Sequence, residues 1–133
     1  MANRAKLTGK GKNGRFYQVP QTVYDSLAYK SLSANSLKLW HDMLTQFNGG
    51  NNGEICAILS QLESRGWSNA SLYRALGELI KKGFLERNFQ GGIGPAGKKP
   101  SRYRFTHLSA SAPEYNCPST GPTNDFQKWQ PEK

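Results

Sequence analysis

The sequence predicts a mainly α fold with a small antiparallel β-hairpin, an α+β architecture, and three observations predict it. Residues 66–87 run as a glycine turn, a capped amphipathic helix, a glycine stop and the start of a strand. Leu37, Trp40, Met43, Leu44 and Phe47 recur at helical spacing after the cap candidate Ser33. Two short aromatic-rich runs, 84–89 and 101–106, then flank a loop with four glycines, as the arms of a hairpin would.

Residues 1–15 hold Arg4, Lys6, Lys10, Lys12 and Arg15, no acid, and a single large aliphatic residue, Leu7. Such a stretch buries too little apolar surface to offset the entropy of ordering, so a flexible basic arm is expected. The domain is expected over 16–106. Phe16–Val19 reads as extended chain ended by Pro20, which suits the first turn of a short helix through Thr22–Leu27. Tyr24 and Leu27 are its expected core residues. In the helix after Ser33 the apolar stripe faces the core, with Lys38, His41 and Asp42 assigned to the solvated side.

Asn48 to Gly53 contains residues that tolerate positive φ and cannot continue a helix. Glu54–Ile55–Cys56 is a short strand candidate. A brief helix from about Ala57 to Arg65 turns Ile58, Leu59 and Leu62 inward, and Gly66 permits a sharp turn. Ser68 then caps a helix whose buried side carries Leu72, Ala75, Leu76, Leu79 and Ile80, while Asn69, Ala70, Tyr73 and Arg74 face away. Helix, glycine turn and helix make a helix-turn-helix arrangement. Residues 107–133 carry four prolines among Ser, Thr and Asn with no period, so a disordered tail is expected; Phe126 and Trp129 are its two candidates for docking.

The formal charge is +9. The excess lies in the arm and in 16–106, which holds eleven basic and six acidic side chains, while the tail is close to neutral. A balance of this kind favours a polyanionic partner, because cations that neutralise phosphates release condensed counterions. Two distant cysteines, Cys56 and Cys117, make no disulfide framework and suggest a reducing compartment. No run is long enough to span a bilayer and the N-terminus has no apolar signal core, so a cytoplasmic, nucleoid-associated protein is expected.

Catalytic and metal constellations are not found. His41 and His107 lie far apart, and neither cysteine has a ligand partner at zinc spacing. Gly92 to Lys99 nearly spells a phosphate-cradling loop. Lys99 stands where a hydroxyl is needed for magnesium, however, and Pro100 follows where a helix should begin. No enzyme activity and no cofactor are expected.

The order of elements over 16–106 resembles a winged helix-turn-helix domain. The run Trp67-Ser68-Asn69-Ala70-Ser71-Leu72-Tyr73-Arg74-Ala75-Leu76, with Glu78-Leu79 and Lys82-Gly83-Phe84-Leu85, is similar to recognition helices of that superfamily. Together with Phe47-Asn48-Gly49, Asn51-Asn52-Gly53 and Arg65-Gly66-Trp67 it resembles the small helix-turn-helix proteins of bacterial genomes, phages and plasmids. The resemblance implies binding to double-stranded DNA, with the helix after Ser68 in the major groove and the hairpin along the backbone or minor groove. The expected contacts are Ser68, Asn69, Ala70, Ser71, Tyr73 and Arg74 on the helix and Lys98, Lys99 and Arg102 on the wing. Arg4, Lys6, Lys10, Lys12 and Arg15 would serve as an arm on the backbone or in a minor groove. Transcription regulation, in a bacterium or mobile element, is the expected output. Replication initiation at an origin is the alternative within DNA binding. A protein-interaction module, meeting its partner through Phe126 and Trp129 or the exposed helix face, is the alternative outside it. No long terminal helix of the kind that builds intertwined dimers is present, so a monomer or weak dimer is expected.

Overall fold

A computed structural model describes residues 10–11, 14–94 and 97–131. The fold is mixed α+β, with the α-helices between residues 21 and 81 and two-stranded antiparallel sheets after them, apart from one short pair ahead of the first helix. The short strands β1 (Lys10–Gly11) and β2 (Gly14–Arg15) pair with each other. Helix α1 (Gln21–Tyr24) follows Pro20, as the sequence predicts, but stops at Asp25. Ser26 then starts a separate helix, α2 (Leu27–Ser31), its hydroxyl accepting from the Tyr29 amide at 3.1 Å. This break corrects the expected core. Val23 and Ala28 are buried, whereas Tyr24 and Leu27 are more than half exposed.

Helix α3 (Ala34–Leu44) is capped by Ser33, and the fully buried Trp40 stands at the centre of the domain. Tyr29, His41, Phe84 and His107 place their rings 5.3–5.8 Å from Trp40. Helix α4 (Leu59–Leu62) tightens into a 3₁₀ turn over Glu63–Arg65, shorter than the expected Ala57–Arg65 helix. Gly66, at φ 94°, makes the left-handed turn that a β-carbon would strain. Helix α5 (Asn69–Lys81) packs against α3 through Leu72, Ala75, Leu76 and Leu79.

Strand β3 (Leu85–Phe89) pairs antiparallel with β6 (Arg102–Phe105), with a register shift between Arg87 and Phe89. On the other side of β6, Ile55 exchanges both amide hydrogen bonds with Tyr103, at 3.3 and 2.8 Å, so the strand expected at 54–56 is a single bridge. Beyond the shift, β4 (Gly92–Gly94) and β5 (Gly97–Lys99) continue the hairpin as a narrow ribbon. No helix among the described residues is long and apolar enough to cross a membrane.

The expectation of a disordered tail is corrected. Strands β7 (Ala110–Ala112) and β8 (Cys117–Thr120) pair, and Ala110, Ala112 and Cys117 form a small second core. Two asparagines from the body of the domain hold this hairpin. Asn52, buried to 1 % exposure, donates to Phe105 O, Leu108 O and Ser109 O and accepts from the Phe105 amide, so its side-chain amide is paired at both ends. Asn88 donates to Gly53 O and Tyr115 O. A 3₁₀ turn over Asp125–Lys128 then seats Phe126 against Phe84, with stacked rings 5.4 Å apart. Gly83, at φ 88°, admits this turn: a β-carbon there would lie 2.6 Å from the Asp125 carbonyl carbon.

Candidate nucleic-acid interface

Helix α5 is held from three sides, and each hold fixes which face it leaves open. At its start, Ser68 and Ser71 form a reciprocal capping box: Ser68 Oγ accepts from the Ser71 amide at 3.2 Å and Ser71 Oγ accepts from the Ser68 amide at 3.0 Å. Both hydroxyls are thereby engaged within the helix end. In front of it, the Trp67 indole is buried and donates to Asp42 Oδ2 at 2.8 Å, while Arg65 donates to Asp42 Oδ1 at 3.0 Å. Asp42, expected on the solvated side of α3, is thus 8 % exposed and ties that helix to the turn preceding α5. Lys38 spans the same junction, donating to Arg65 O with its ammonium over the Trp67 ring.

The third hold is Glu78, the helix's only acidic side chain, which points toward α3. It accepts from Ser33 Oγ at 2.7 Å, from Ser36 Oγ, and from Lys82 Nζ at 2.8 Å. Burial is the largest single influence on this carboxyl and would raise its pKa. The hydrogen bonds from Lys82, Ser36 and Ser33 together outweigh it and bring the value down to about 2. Lys82 also donates to Ser31 and lies 4.9 Å from the Trp129 ring centroid, so it belongs to the scaffold.

What stays open on α5 carries no acid. Asn69, Ala70, Tyr73, Arg74, Gly77 and Lys81 are exposed, Tyr73 to 75 %. Ala70, Arg74, Gly77 and Lys81 follow one another at intervals of four, three and four, the row directly opposite the buried stripe. Small residues therefore alternate with cations along the outermost line of the helix. Arg74 reaches back only weakly, its Nε 3.5 Å from Ala70 O, which leaves the guanidinium fork available.

The hairpin divides its cations. Lys98 and Lys99 are exposed on β5. Arg102, expected beside them on the DNA, is turned inward: it donates to Glu54 O at 2.9 Å and stacks 4.4 Å from the Tyr115 ring centroid. Arg104 is buried and paired with Glu86 at 2.6 Å. Of the arm, Arg4, Lys6 and Lys12 lie outside the described residues, and Lys10 is placed only by its backbone in β1. Arg15 is committed to α3, donating to Phe47 O at 3.2 Å and Thr45 O at 3.5 Å, where a cation complements the carbonyl end of a helix.

The tail's two aromatic candidates are also spent internally. Phe126 is 1 % exposed and Trp129 is half-buried under Lys82, which removes Phe126 as a surface for another protein. His41 and Cys56 likewise sit in structural settings. His41 bonds Tyr17 Oη at 2.8 Å through Nδ1 and Tyr29 Oη at 3.1 Å through Nε2, and burial lowers its pKa against the smaller opposing effect of Asp42. Burial raises the Cys56 thiol, with Arg102 opposing. Both Cys56 and Cys117 are free and buried. No cluster of three or more His, Cys, Asp or Glu side chains suited to a metal occurs among the described residues.

Sequence reasoning missed Asp42 and Glu78 as the side chains that orient α5. Most of their partners lie 23 to 45 positions away, beyond the reach of local periodicity. Comparison with family models, with curated proteins and with solved structures gives no match.

Proposed function

We propose that the chain is a winged helix-turn-helix protein that binds duplex DNA in a sequence-specific manner, with α5 in the major groove and the β4–β5 ribbon on the adjacent backbone. The observation that carries this reading is the acid-free outer face of α5, in which Arg74 stands between the low positions Ala70 and Gly77. A helix must come close to base edges to read them, and small outward residues allow that approach on either side of a long cation. The element order supports it: α4, the Gly66 turn and α5 form a helix-turn-helix, and β3 with β6 and the bridge at Ile55 form the sheet from which a wing extends.

In this mechanism Arg74 presents its guanidinium fork to a guanine, while Asn69 and Tyr73 contact neighbouring bases or phosphates. Lys98 and Lys99 position the domain on phosphates and carry no sequence information themselves. Transcription regulation is the output that such a domain serves here.

Selection of bound fragments from a random duplex library tests the reading. A defined site should emerge, and Arg74→Ala should lose discrimination at one base pair of it by about 1–3 kcal/mol. Recovery of unrelated fragments only, or an Arg74→Ala protein with unchanged base preference, contradicts groove reading by α5.

A further inference from the structure

Ile93 is 87 % exposed, the most exposed large apolar side chain among the described residues. It sits mid-strand in β4, directly across from Lys98, so the two side chains share one face of the ribbon. Its neighbours in sequence are Gly92 and Gly94, and the flanking cross-strand pairs are Gly92 with Lys99 and Gly94 with Gly97. An isoleucine in a strand ordinarily packs on a core. Here none of the described residues covers it, and the paired positions around it hold only glycines and two lysines.

We propose that Ile93 is an apolar wedge that enters the DNA minor groove and unstacks a base step, with Lys98, on the same face of the ribbon, on the phosphates beside it. The inference rests on the duplex-binding reading above and goes beyond it, because backbone positioning by a wing requires only the lysines. The geometry favours this occupant on two counts. With axes about 4.8 Å apart and its own backbone thickness besides, a two-stranded ribbon exceeds the width of about 6 Å of an undeformed minor groove. It therefore enters only where a kink opens the groove, and it needs least opening where bulky side chains are few. Gly92, Gly94 and Gly97 meet that condition. The charge also fits: the described part of the ribbon carries two cations and no acid, complementary to the phosphates that border the groove. Apolar wedges of this kind pry base steps apart and kink the duplex toward the major groove. The step that yields most readily is a pyrimidine–purine step such as TA, so the bound site should place one under the wing.

The test uses the full chain and a selected duplex labelled at both ends for energy transfer, with 2-aminopurine at the predicted step. Wild type should bend the duplex by roughly 20–90° and raise the 2-aminopurine fluorescence. Ile93→Ser should bind with the bend and the fluorescence rise both lost, and Ile93→Leu should restore them. Thermal melting of the free variants should match wild type, since so exposed a side chain adds little to the core, which separates lost insertion from lost folding. A wild-type complex with a straight duplex, or an Ile93→Ser complex bent as far as wild type, overturns the wedge and leaves groove reading by α5 standing. Failure of wild type to bind any duplex removes both.

Discussion

Replacing Phe126 with alanine tests whether the C-terminal segment is part of the domain. The ring is 1 % exposed, stacked on Phe84 at 5.4 Å and 12° between planes, and belongs to the main core. Truncating a buried phenylalanine to alanine costs about 3–5 kcal/mol through lost transfer energy and the cavity left behind. Part of that loss is the aromatic pair itself, worth roughly 0.5–1.5 kcal/mol. An expected loss of about 4 kcal/mol is a large share of the stability of an ordinary domain and corresponds to a melting temperature lower by roughly 15 °C. The assay is urea unfolding followed by tryptophan fluorescence, since Trp40 lies beside Phe84 and reports on this region. The denaturant slope should fall as well, because an undocked 3₁₀ turn exposes its surface before the global transition. A loss below about 1 kcal/mol with an unchanged slope would refute the reasoning, since a tail that only rests on the surface contributes no more than that.

Further outcomes follow from the holds on α5 and from the buried imidazole. Asp42→Ala leaves the Trp67 indole nitrogen buried without its acceptor and should cost about 1–3 kcal/mol. Asp42→Asn keeps that acceptor and loses only the pairing with Arg65, whose side chain is 63 % exposed, so its cost should stay below about 1 kcal/mol in the same unfolding assay. Equal costs for the two variants would show that the indole bond does not hold the turn. His107 lies against Trp40 and Phe105, its Nε2 has no partner among the described residues, and burial lowers its pKa to about 4. The unfolded chain takes up this proton near pH 6.5 and the folded chain only near 4. Stability from His107 is therefore intact above about pH 6.5 and declines by about 3 kcal/mol as pH falls to about 4. His41 is shifted in the same direction and adds to the slope. His107→Phe should flatten the decline between about pH 6.5 and 5, and an unchanged slope would contradict the assignment.

The parts of the fold legible in sequence are those whose signals are local. Ser33 and Ser68 announce their helices because a cap acts on amides two or three residues ahead, and Gly66 announces the turn because its φ is forbidden to most residues. Ser26 carries the same cap chemistry, but the stretch Val23–Leu27 reads as one amphipathic turn unless Asp25 is known to end it. That ambiguity rotates the face by enough to put Tyr24 and Leu27 outside. The tail misleads for a different reason. Its mean composition is that of a disordered segment, yet order depends on a few anchors: Phe126, and the side chains of Asn52 and Asn88 supplied from far upstream. Polar anchors carry no hydrophobic period, so Asn52 reads only as a turn residue.

The same distinction runs through the candidate site. Exposure of Tyr73 and Arg74 follows from helical phase alone. The inward turn of Arg102 does not, because a strand that alternates cation and aromatic shows which residues share a face and leaves open what covers it. Here the segment around Tyr115 covers it, and that segment belongs to the tail that composition marks as disordered. Arg15 departs from the arm for a similar reason, drawn to the carbonyl end of α3.

Association with duplex DNA as a function of salt tests the proposed role most directly. Fluorescence anisotropy of a labelled mixed duplex should show wild-type affinity falling linearly with the logarithm of salt concentration. The Arg74→Ala, Lys98→Ala, Lys99→Ala protein should bind more weakly and with a slope shallower by about 2, roughly one unit for each lysine removed from a phosphate. Wild type that shows no salt-dependent association, or a triple variant with the same affinity and slope, would contradict it.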